Sequence, residues 1–401
     1  MAIDLDHQPP SNAYLAKADL AAPEVYAPLK VFVCSQCWLV QLPAQHSAHE
    51  LFTPNYAYFS SVSRSWVAHA KRYVADMIER FSLDTNSLVV EIASNDGYLL
   101  QFVKEAGIPC FGIEPTASTA AAARAIGIES LEVFFSAAQG RELARSRRPV
   151  DLIIANNVLA HVPDINDFVA GFRELLAPEG IATFEFPHVM QLVDGCQFDT
   201  IYHEHYSYLS LTSVQTIFKS QGLKIFDVEE LKTHGGSLRV FACRQGAETR
   251  VPTGRVADLL KRERCEQLLT TGYYQALQTK AERVKLDLLE FLVKQKRAGR
   301  KVVGYGAAAK GNTLLNYAGI KPDLLSFVCD AAASKQGRFL PGSHIPVFEP
   351  SALEHYKPDV VLILPWNIRE EIVASQRHIG SWGGAFAIAV PQLEIISCGL
   401  Q

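Results

Sequence analysis

Residues 87–100 read SLVVEIASNDGYLL. An apolar run, SLVVEIA, breaks at Ala93, Ser94, Asn95, Asp96 and Gly97 and resumes as GYLLQFVKEAG, which predicts a buried strand, a tight turn and a helix closed by glycine. The unit recurs downstream. CFGIEP (110–115) predicts a second strand before the alanine-rich helix STAAAARAIG, and SLEVFF, DLIIANN and GIATFEFP predict three more. The helix DINDFVAGFRELLAP precedes the last of these, with Asp164 as its expected N-cap and Asp167 at the capping-box distance. Short apolar strands alternating with helices mean a doubly wound parallel sheet. KIFDVEE and SLRVFACR, after the helix LTSVQTIFKSQG, are expected to close it, with SLRV on an edge.

Outward from this sheet the pattern changes on both sides. The first eighty or so residues are irregular and proline-rich, ending in the helix SRSWVAHAKRYVADMIERF. Residues 252–299 are strongly charged with helical periodicity and read as a connection. A second alternating run begins at KVVGYGAAAKG and continues through LLSFVCD, DVVLILPW and GAFAIAV, a second and smaller α/β domain. The expected domains are residues 1–65, 66–250 and 251–401, with ligands in the cleft between the two sheets.

The chain has 401 residues, 48% apolar and 20% charged, which suits a soluble multidomain protein. A net charge of −4 argues against a nucleic-acid or acidic-membrane partner. No apolar run approaches bilayer length and the N-terminus lacks the pattern of a signal peptide. Eight cysteines, scattered apart from Cys34 and Cys37, suggest free thiols in the cytoplasm.

The turn after the first strand is not a dinucleotide fingerprint. G-x-G-x-x-G would stand there, and only Gly97 is present, while Asp96 discourages a pyrophosphate. A ligand joining an amino acid to a nucleoside fits better. Glu114, 23 positions after Glu91, ends the second strand where a carboxylate can accept both ribose hydroxyls. Asn156, Asn157 and His161 follow the fourth strand at the ligand-binding end of the sheet. Together these suggest S-adenosylmethionine; the bland alternative is a solvated strand-end acid and an ordinary turn.

VVEIASNDGYLL, GIEP, NNVLAHVPDINDF, FEFPH, QFDTIYHEHYSYLS, THGGSLRV, VVGYGAAAKGNTLLN and LPWNI, in this order, resemble the three-domain S-adenosylmethionine-dependent sugar C-methyltransferases over nearly the whole chain. The resemblance implies a zinc-bearing N-terminal domain, a central class I methyltransferase-like sheet and a C-terminal Rossmann-like domain. It implies action on a nucleotide-linked 4-keto-6-deoxysugar at the carbon beside the ketone, C-3, with S-adenosylhomocysteine as product. The implied cofactor residues are Glu91, Ala93, Asn95, Gly97, Tyr98, Glu114, Pro115, Asn156 and Asn157. One departure stands out: the family carries two CxxC pairs, and only Cys34 and Cys37 occur here, half of a tetrahedral site. His7, His46 and His49 are the nearest substitutes, and the expectation is either a first pair lying upstream of this sequence or a lost zinc.

The chemistry then falls on DTIYHEHYSYLS (199–210), in the long connection after the fifth strand. A metal reading would use His203 and His205 with His161 or His188, but no HExxH pattern supports it. A packing reading is the commoner fate of isolated histidines and tyrosines. A base reading follows from the reaction, because carbon becomes nucleophilic only when a proton beside the ketone is removed, and imidazole suits that task near neutral pH. His205 is the preferred base, Glu204 its expected orienting partner, Tyr202 a donor to the enolate oxygen or an alternative base, and His161 a group facing the sugar from the other side. The resemblance supports Tyr202, Glu204, His205 and His161 as active-site residues. Tyr56 and Ser60 are expected to line the substrate site, although serines before a helix also serve as caps. In the C-terminal domain Gly306, Lys310 and Asn312 are expected near a pyrophosphate, the alternative being a turn that binds nothing. The rival readings are a nicotinamide-dependent oxidoreductase and a sugar-nucleotide sensor without catalysis; a monomer is compatible with all three.

Overall fold

The computed structural model describes residues 1–45, 47, 50 and 59–397, arranged around three sheets. The N-terminal stretch is less irregular than its prolines suggest. Strands β1 (Ile3–Gln8), β2 (Ala27–Val33) and β3 (Val40–Gln41) form an antiparallel sheet.

Helix α1 (Arg64–Phe81) is entered through Ser63, whose hydroxyl accepts from the Trp66 N–H at 3.3 Å. Its buried residues, Trp66, His69, Ala70, Tyr73, Val74 and Met77, share one face at helical spacing. The central sheet follows with β4 (Val89–Ile92), β5 (Cys110–Ile113), β6 (Ser130–Leu131), β7 (Val150–Asn156) and β8 (Leu176–Pro187), paired in parallel. Helices α2 (Leu100–Glu105), α3 (Ala117–Ala125), α4 (Ala137–Ser146) and α5 (Ile165–Leu175) make the crossovers, and Asp164 caps α5 by accepting from the Asp167 N–H at 3.0 Å. Both faces are buried, which is why the strands read as continuous apolar runs. Val89, Leu152 and Ile154 meet α1 on one side, whereas Val90, Ile153 and Ala155 meet Phe168 and Phe172 of α5 on the other.

After the short helix α6 (Val189–Asp194) the histidine segment leaves the central sheet. Its strand β9 (Ser207–Tyr208) pairs antiparallel with β3, so backbone of this segment completes the N-terminal sheet. Helix α7 (Leu211–Ser220) returns the chain to β10 (Leu223–Leu231) and β11 (Ser237–Arg244), giving the order β10-β11-β8-β7-β4-β5-β6. SLRV is therefore not an edge. β11 pairs antiparallel with both β8 and β10, and its side chains are almost all buried.

The charged connection forms α8 (Gly254–Cys265) and α9 (Thr271–Arg297). Tyr274, Leu277, Ala281, Val284, Leu288 and Leu292 of α9 join Ile3, Leu5, Leu29 and Val31 of the first sheet in one apolar cluster. The same cluster takes in Val302, Val328 and Leu362 of the C-terminal sheet. That sheet is β12 (Val302–Tyr305), β13 (Val328–Cys329), β14 (Val347–Phe348), β15 (Val360–Ile363), β16 (Ala385–Ile388) and β17 (Glu394–Ser397), in the order β14-β13-β12-β15-β16-β17. All its pairs are parallel except β16–β17, and helix α10 (Ala309–Tyr317) follows β12.

Candidate active site

At the carboxyl end of β4 the chain turns sharply, with Ala93, Asn95 and Gly97 all at positive φ (57°, 50° and 79°). Such left-handed positions are costly for Ala and persist only where the surroundings impose them. The imposing groups are visible. The Asn95 N–H donates to Glu114 Oε2 at 3.0 Å, Thr116 N–H donates to Oε1 at 2.9 Å, and the Ser60 N–H donates to Asn95 Oδ1 at 2.9 Å. Glu114 is thus first a staple for the turn, with lone pairs left over. Its pKa is raised by burial, an effect the backbone donors oppose.

Around this turn several buried polar atoms lack a partner: Ser94 Oγ, Asp96 Oδ1, the whole amide of Asn156 and Asn157 Oδ1. Burial pushes Glu91 well above the usual carboxylate range, offset in part by the Tyr98 hydroxyl. Unsatisfied groups gathered at the ends of β4 and β7 carry a desolvation cost of about 1–3 kcal/mol each, which a ligand can remove. They include acceptors for an ammonium or ribose hydroxyls and an amide able to donate and accept. Ser60 meets this turn through its backbone; Tyr56 lies outside the described residues.

At the same end of the sheet are two histidines in edge-to-face contact, His161 after β7 and His205 in the loop after β8, with ring centroids 4.6 Å apart. Each is held by a main-chain carbonyl. His205 Nδ1 lies 2.8 Å from the Thr200 oxygen, and His161 Nδ1 lies 2.9 Å from the Glu204 oxygen. Because a carbonyl only accepts, both rings carry their proton on Nδ1, and the lone pair of His205 is left on Nε2. Burial lowers His161 to about 4, and burial followed by the neighbouring His161 lowers His205 well below its ordinary value. Both are neutral at pH 7. The Tyr202 ring lies 4.0 Å from that of His205.

Glu204 does not orient His205 as expected. Its carboxylate accepts from Asn12 Nδ2 at 2.7 Å, which ties the N-terminal domain to the site, and its carbonyl rather than its side chain holds a histidine. The metal partners imagined for this segment are engaged elsewhere: His203 reaches the Ala27 carbonyl at 3.3 Å, and His188 pairs with buried Glu263 at 2.8 Å. Among the described residues no three His, Cys, Asp or Glu side chains gather as a metal site. That includes Cys34 and Cys37. Backbone N–H groups of the knuckle lower Cys34, a thiolate-favouring environment, but two thiols remain half of a zinc site; His46 and His49 lie outside the described residues.

Three further residues belong here, of which Asp199 and Trp366 were not singled out from the sequence and His234 was placed only beside an edge strand. His234, in the left-handed conformation at φ 55°, puts its ring 5.0 Å from Trp66, and burial lowers its pKa to about 4. Asp199 is fully buried, and Trp366 Nε1 of the C-terminal domain donates to its Oδ2 at 2.8 Å. Trp366 also fills the space over Gly235, where a Cβ would lie 2.6 Å from the indole. The sequence signal for Asp199 and Trp366 was their place within QFDTIYHEHYSYLS and LPWNI. Of the expected C-terminal substrate residues, Lys310 puts its ammonium 4.6 Å from the Trp366 ring and Asn312 is buried with its amide unpartnered. Gly306 is not open to a ligand. A Cβ there would collide with the Pro365 ring, so this glycine serves packing and a φ of 86°.

Residues 66–228 match the family described as "Methyltransferase domain", residues 232–391 "C-methyltransferase C-terminal domain" and residues 1–52 "Putative zinc binding domain". A C-methyltransferase, NovU of Streptomyces niveus, is 35% identical over 389 residues, covering 97% of this chain and 92% of that one. The chain belongs to this C-methyltransferase family. It is a methyltransferase that uses S-adenosylmethionine, and the orphaned donors and acceptors of the cradle fit such a ligand. Solved structures are far more distant from the methyltransferase. The Synechocystis PCC 6803 magnesium protoporphyrin IX methyltransferase with bound SAM is 15% identical, with a TM-score of 0.34 over 44% of this chain and 79% of that one. The PH0226 protein of Pyrococcus horikoshii OT3 is 13% identical, with a TM-score of 0.39 over 50% of this chain and 99% of that one. Likeness of this degree carries no weight for the methyltransferase's ligands. No described helix of the methyltransferase is long and apolar enough to cross a membrane.

Proposed function

We propose that the enzyme methylates the carbon beside the ketone, C-3, of a nucleotide-linked 4-keto-6-deoxysugar through an enolate. The observation that carries this is the His161–His205 pair: two buried imidazoles in edge-to-face contact, each with Nδ1 fixed on a main-chain carbonyl, which leaves the His205 lone pair on Nε2, at the end of the sheet that carries the cofactor cradle. S-Adenosylmethionine would supply an electrophilic methyl group. Glu114 accepts the ribose hydroxyls with the lone pairs its backbone donors leave free, and Glu91, Ala93, Asn95, Gly97, Tyr98, Pro115, Asn156 and Asn157 form the rest of that site. Ser60 and Asn312 face the sugar nucleotide.

His205 Nε2 takes the proton alpha to the ketone, and the C–H electron pair becomes the enolate double bond. A buried, weakened base suits the step better than it first looks. Negative charge appears on the enolate as the imidazolium forms, and the two stabilise one another where water is excluded. His161 packs the other side of the ring, and Tyr202 donates to the developing oxyanion. The test is incubation with S-adenosylmethionine and a nucleotide-linked 4-keto-6-deoxysugar, with mass spectrometry reading one added methyl. His205→Ala should slow this by about 10²–10⁴-fold, with calorimetric affinity for S-adenosylhomocysteine retained. Near-normal turnover in that variant would move the base role to Tyr202 or His161. Binding of NADH in place of S-adenosylhomocysteine would sink the reading.

A further inference from the structure

Lys310 is an expensive residue to place where it stands. It opens α10 in the C-terminal domain, yet its charge acts on His205 and His234 of the central domain. Its ammonium donates to Asn367 Oδ1 at 2.7 Å and lies 4.6 Å from the Trp366 ring. No carboxylate stands within ion-pair distance of it among the described residues. Asp199, the acid that acts on it, gives Oδ2 to Trp366 and leaves Oδ1 buried and unpartnered. A half-buried ammonium held at a domain contact without a paired carboxylate is a net cost in a fold that needs it only for structure. Apolar packing against Trp366 would serve the domain contact as well or better.

The arrangement makes sense if the missing counter-charge arrives with the reaction. An ammonium has three protons; Asn367 takes one, and the indole face accepts another loosely. Trp366, locked between Asp199 and Gly235, fixes the direction in which Lys310 can reach. The same segment sets the base, because the Thr200 carbonyl that holds His205 Nδ1 belongs to the residue after Asp199. One short stretch thus aligns the proton acceptor and, through Trp366, the cation.

We propose that Lys310 is a catalytic residue whose ammonium holds the enolate oxygen, so that the C-terminal domain completes the active site rather than only binding the nucleotide. The proposal rests on the enolate reading above. In balance, the C-3–H bond breaks and its proton goes to His205 Nε2. The bonding pair forms the C-3–C-4 double bond, and the carbonyl π pair moves onto the oxygen facing Lys310. When C-3 then bonds to the methyl, the S–C pair stays on sulfur, and the oxygen pair re-forms the ketone.

The experiment is alpha-proton exchange, read apart from methyl transfer. Full-length protein, S-adenosylhomocysteine and a saturating nucleotide-linked 4-keto-6-deoxysugar are incubated in D2O, and deuterium at C-3 is followed by mass spectrometry. Exchange by the unsubstituted protein tests the enolate reading first, so a loss confined to the variant speaks of Lys310 alone. Lys310→Met should lower the exchange rate at saturation by about 10²–10³-fold, the range for losing an oxyanion donor, with S-adenosylhomocysteine affinity unchanged as the check on folding. Lys310→Arg, which keeps the charge, should recover part of it. Exchange at the normal rate once the variant is saturated, with only the sugar-nucleotide affinity weakened, would overturn the proposal and make Lys310 a phosphate anchor.

Discussion

The two Rossmann-like sheets of this chain put comparable turns to opposite uses. After β4, the ASNDG turn holds three left-handed residues and leaves a set of buried polar atoms unpaired. After β12, the GYGAAAKG turn is filled by the protein itself. The Tyr14 hydroxyl of the N-terminal domain donates to the Ala307 carbonyl, Lys335 Nζ donates to the same oxygen at 2.9 Å, and Pro365 covers Gly306. The acids that follow the second strands diverge too. Glu114 keeps lone pairs toward the cradle, whereas Asp330 pairs with Lys335 at 3.3 Å and accepts the Ala332 N–H at 2.8 Å. Topology alone therefore says where a ligand could bind; the pairing of polar groups says which sheet still needs one.

The largest way to break this contrast is pH. His161 and His234, each lowered to about 4 by burial, and His205 with them, line the central site, while around the C-terminal turn Lys335 is shifted up. A histidine depressed in the folded state contributes stability that is complete above its unfolded pKa and is lost as pH falls toward the folded one. Between pH 6.5 and about 4.5 the protein should therefore lose on the order of 1 kcal/mol per histidine for each pH unit. Asp199, raised to about 6 chiefly by burial, works in the opposite sense, since its contribution is present in acid and lost as pH rises through 6. Glu91 and Glu114, also raised by burial, act in the same sense as Asp199, so the histidine share of the fall is read by difference. His161→Gln together with His234→Gln should flatten that fall, and a pH dependence unchanged by both substitutions would mean the pocket is wetter than it looks.

A second test sharpens the comparison at the acids. Glu114→Ala should weaken S-adenosylhomocysteine binding by about 10–100-fold, corresponding to roughly 1.4–2.8 kcal/mol. Asp330→Ala, its counterpart on the other sheet, should leave that affinity where it was. Equal losses in calorimetry would show the two crevices to be coupled, and no loss from Glu114→Ala would put the ribose elsewhere.

Much of this was legible in the sequence. The alternation of apolar runs with helices fixed both sheets, because strands buried on two faces must be apolar throughout. Of the candidate site, residue type pointed to His161 and His205, and the structure brings their rings into contact. What could not be read was pairing across sequence distance. Glu204 looked like the partner of His205, but the loop closes so that Thr200, five residues back, presents its carbonyl instead. β11 was expected at an edge, but it lies between two other strands, and the glycines before it make room for Trp366 and Gln191. Periodicity reports burial, and it is silent on which main-chain carbonyl a ring will meet.

The smallest effect is expected at Gly306. Its φ of 86° suits glycine, and a Cβ there would meet Pro365, so Gly306→Ala must strain the turn or move the β15 loop that carries Trp366. That should cost about 1–3 kcal/mol of stability, seen as a lower Tm, with S-adenosylhomocysteine affinity unchanged because the cradle lies on the other sheet. If the turn instead bound the substrate's phosphates, the added methyl would weaken sugar-nucleotide binding while stability fell no further than the strain requires. A loss of stability with sugar-nucleotide affinity kept marks the turn as an interface, and the reverse pattern would return it to the substrate site.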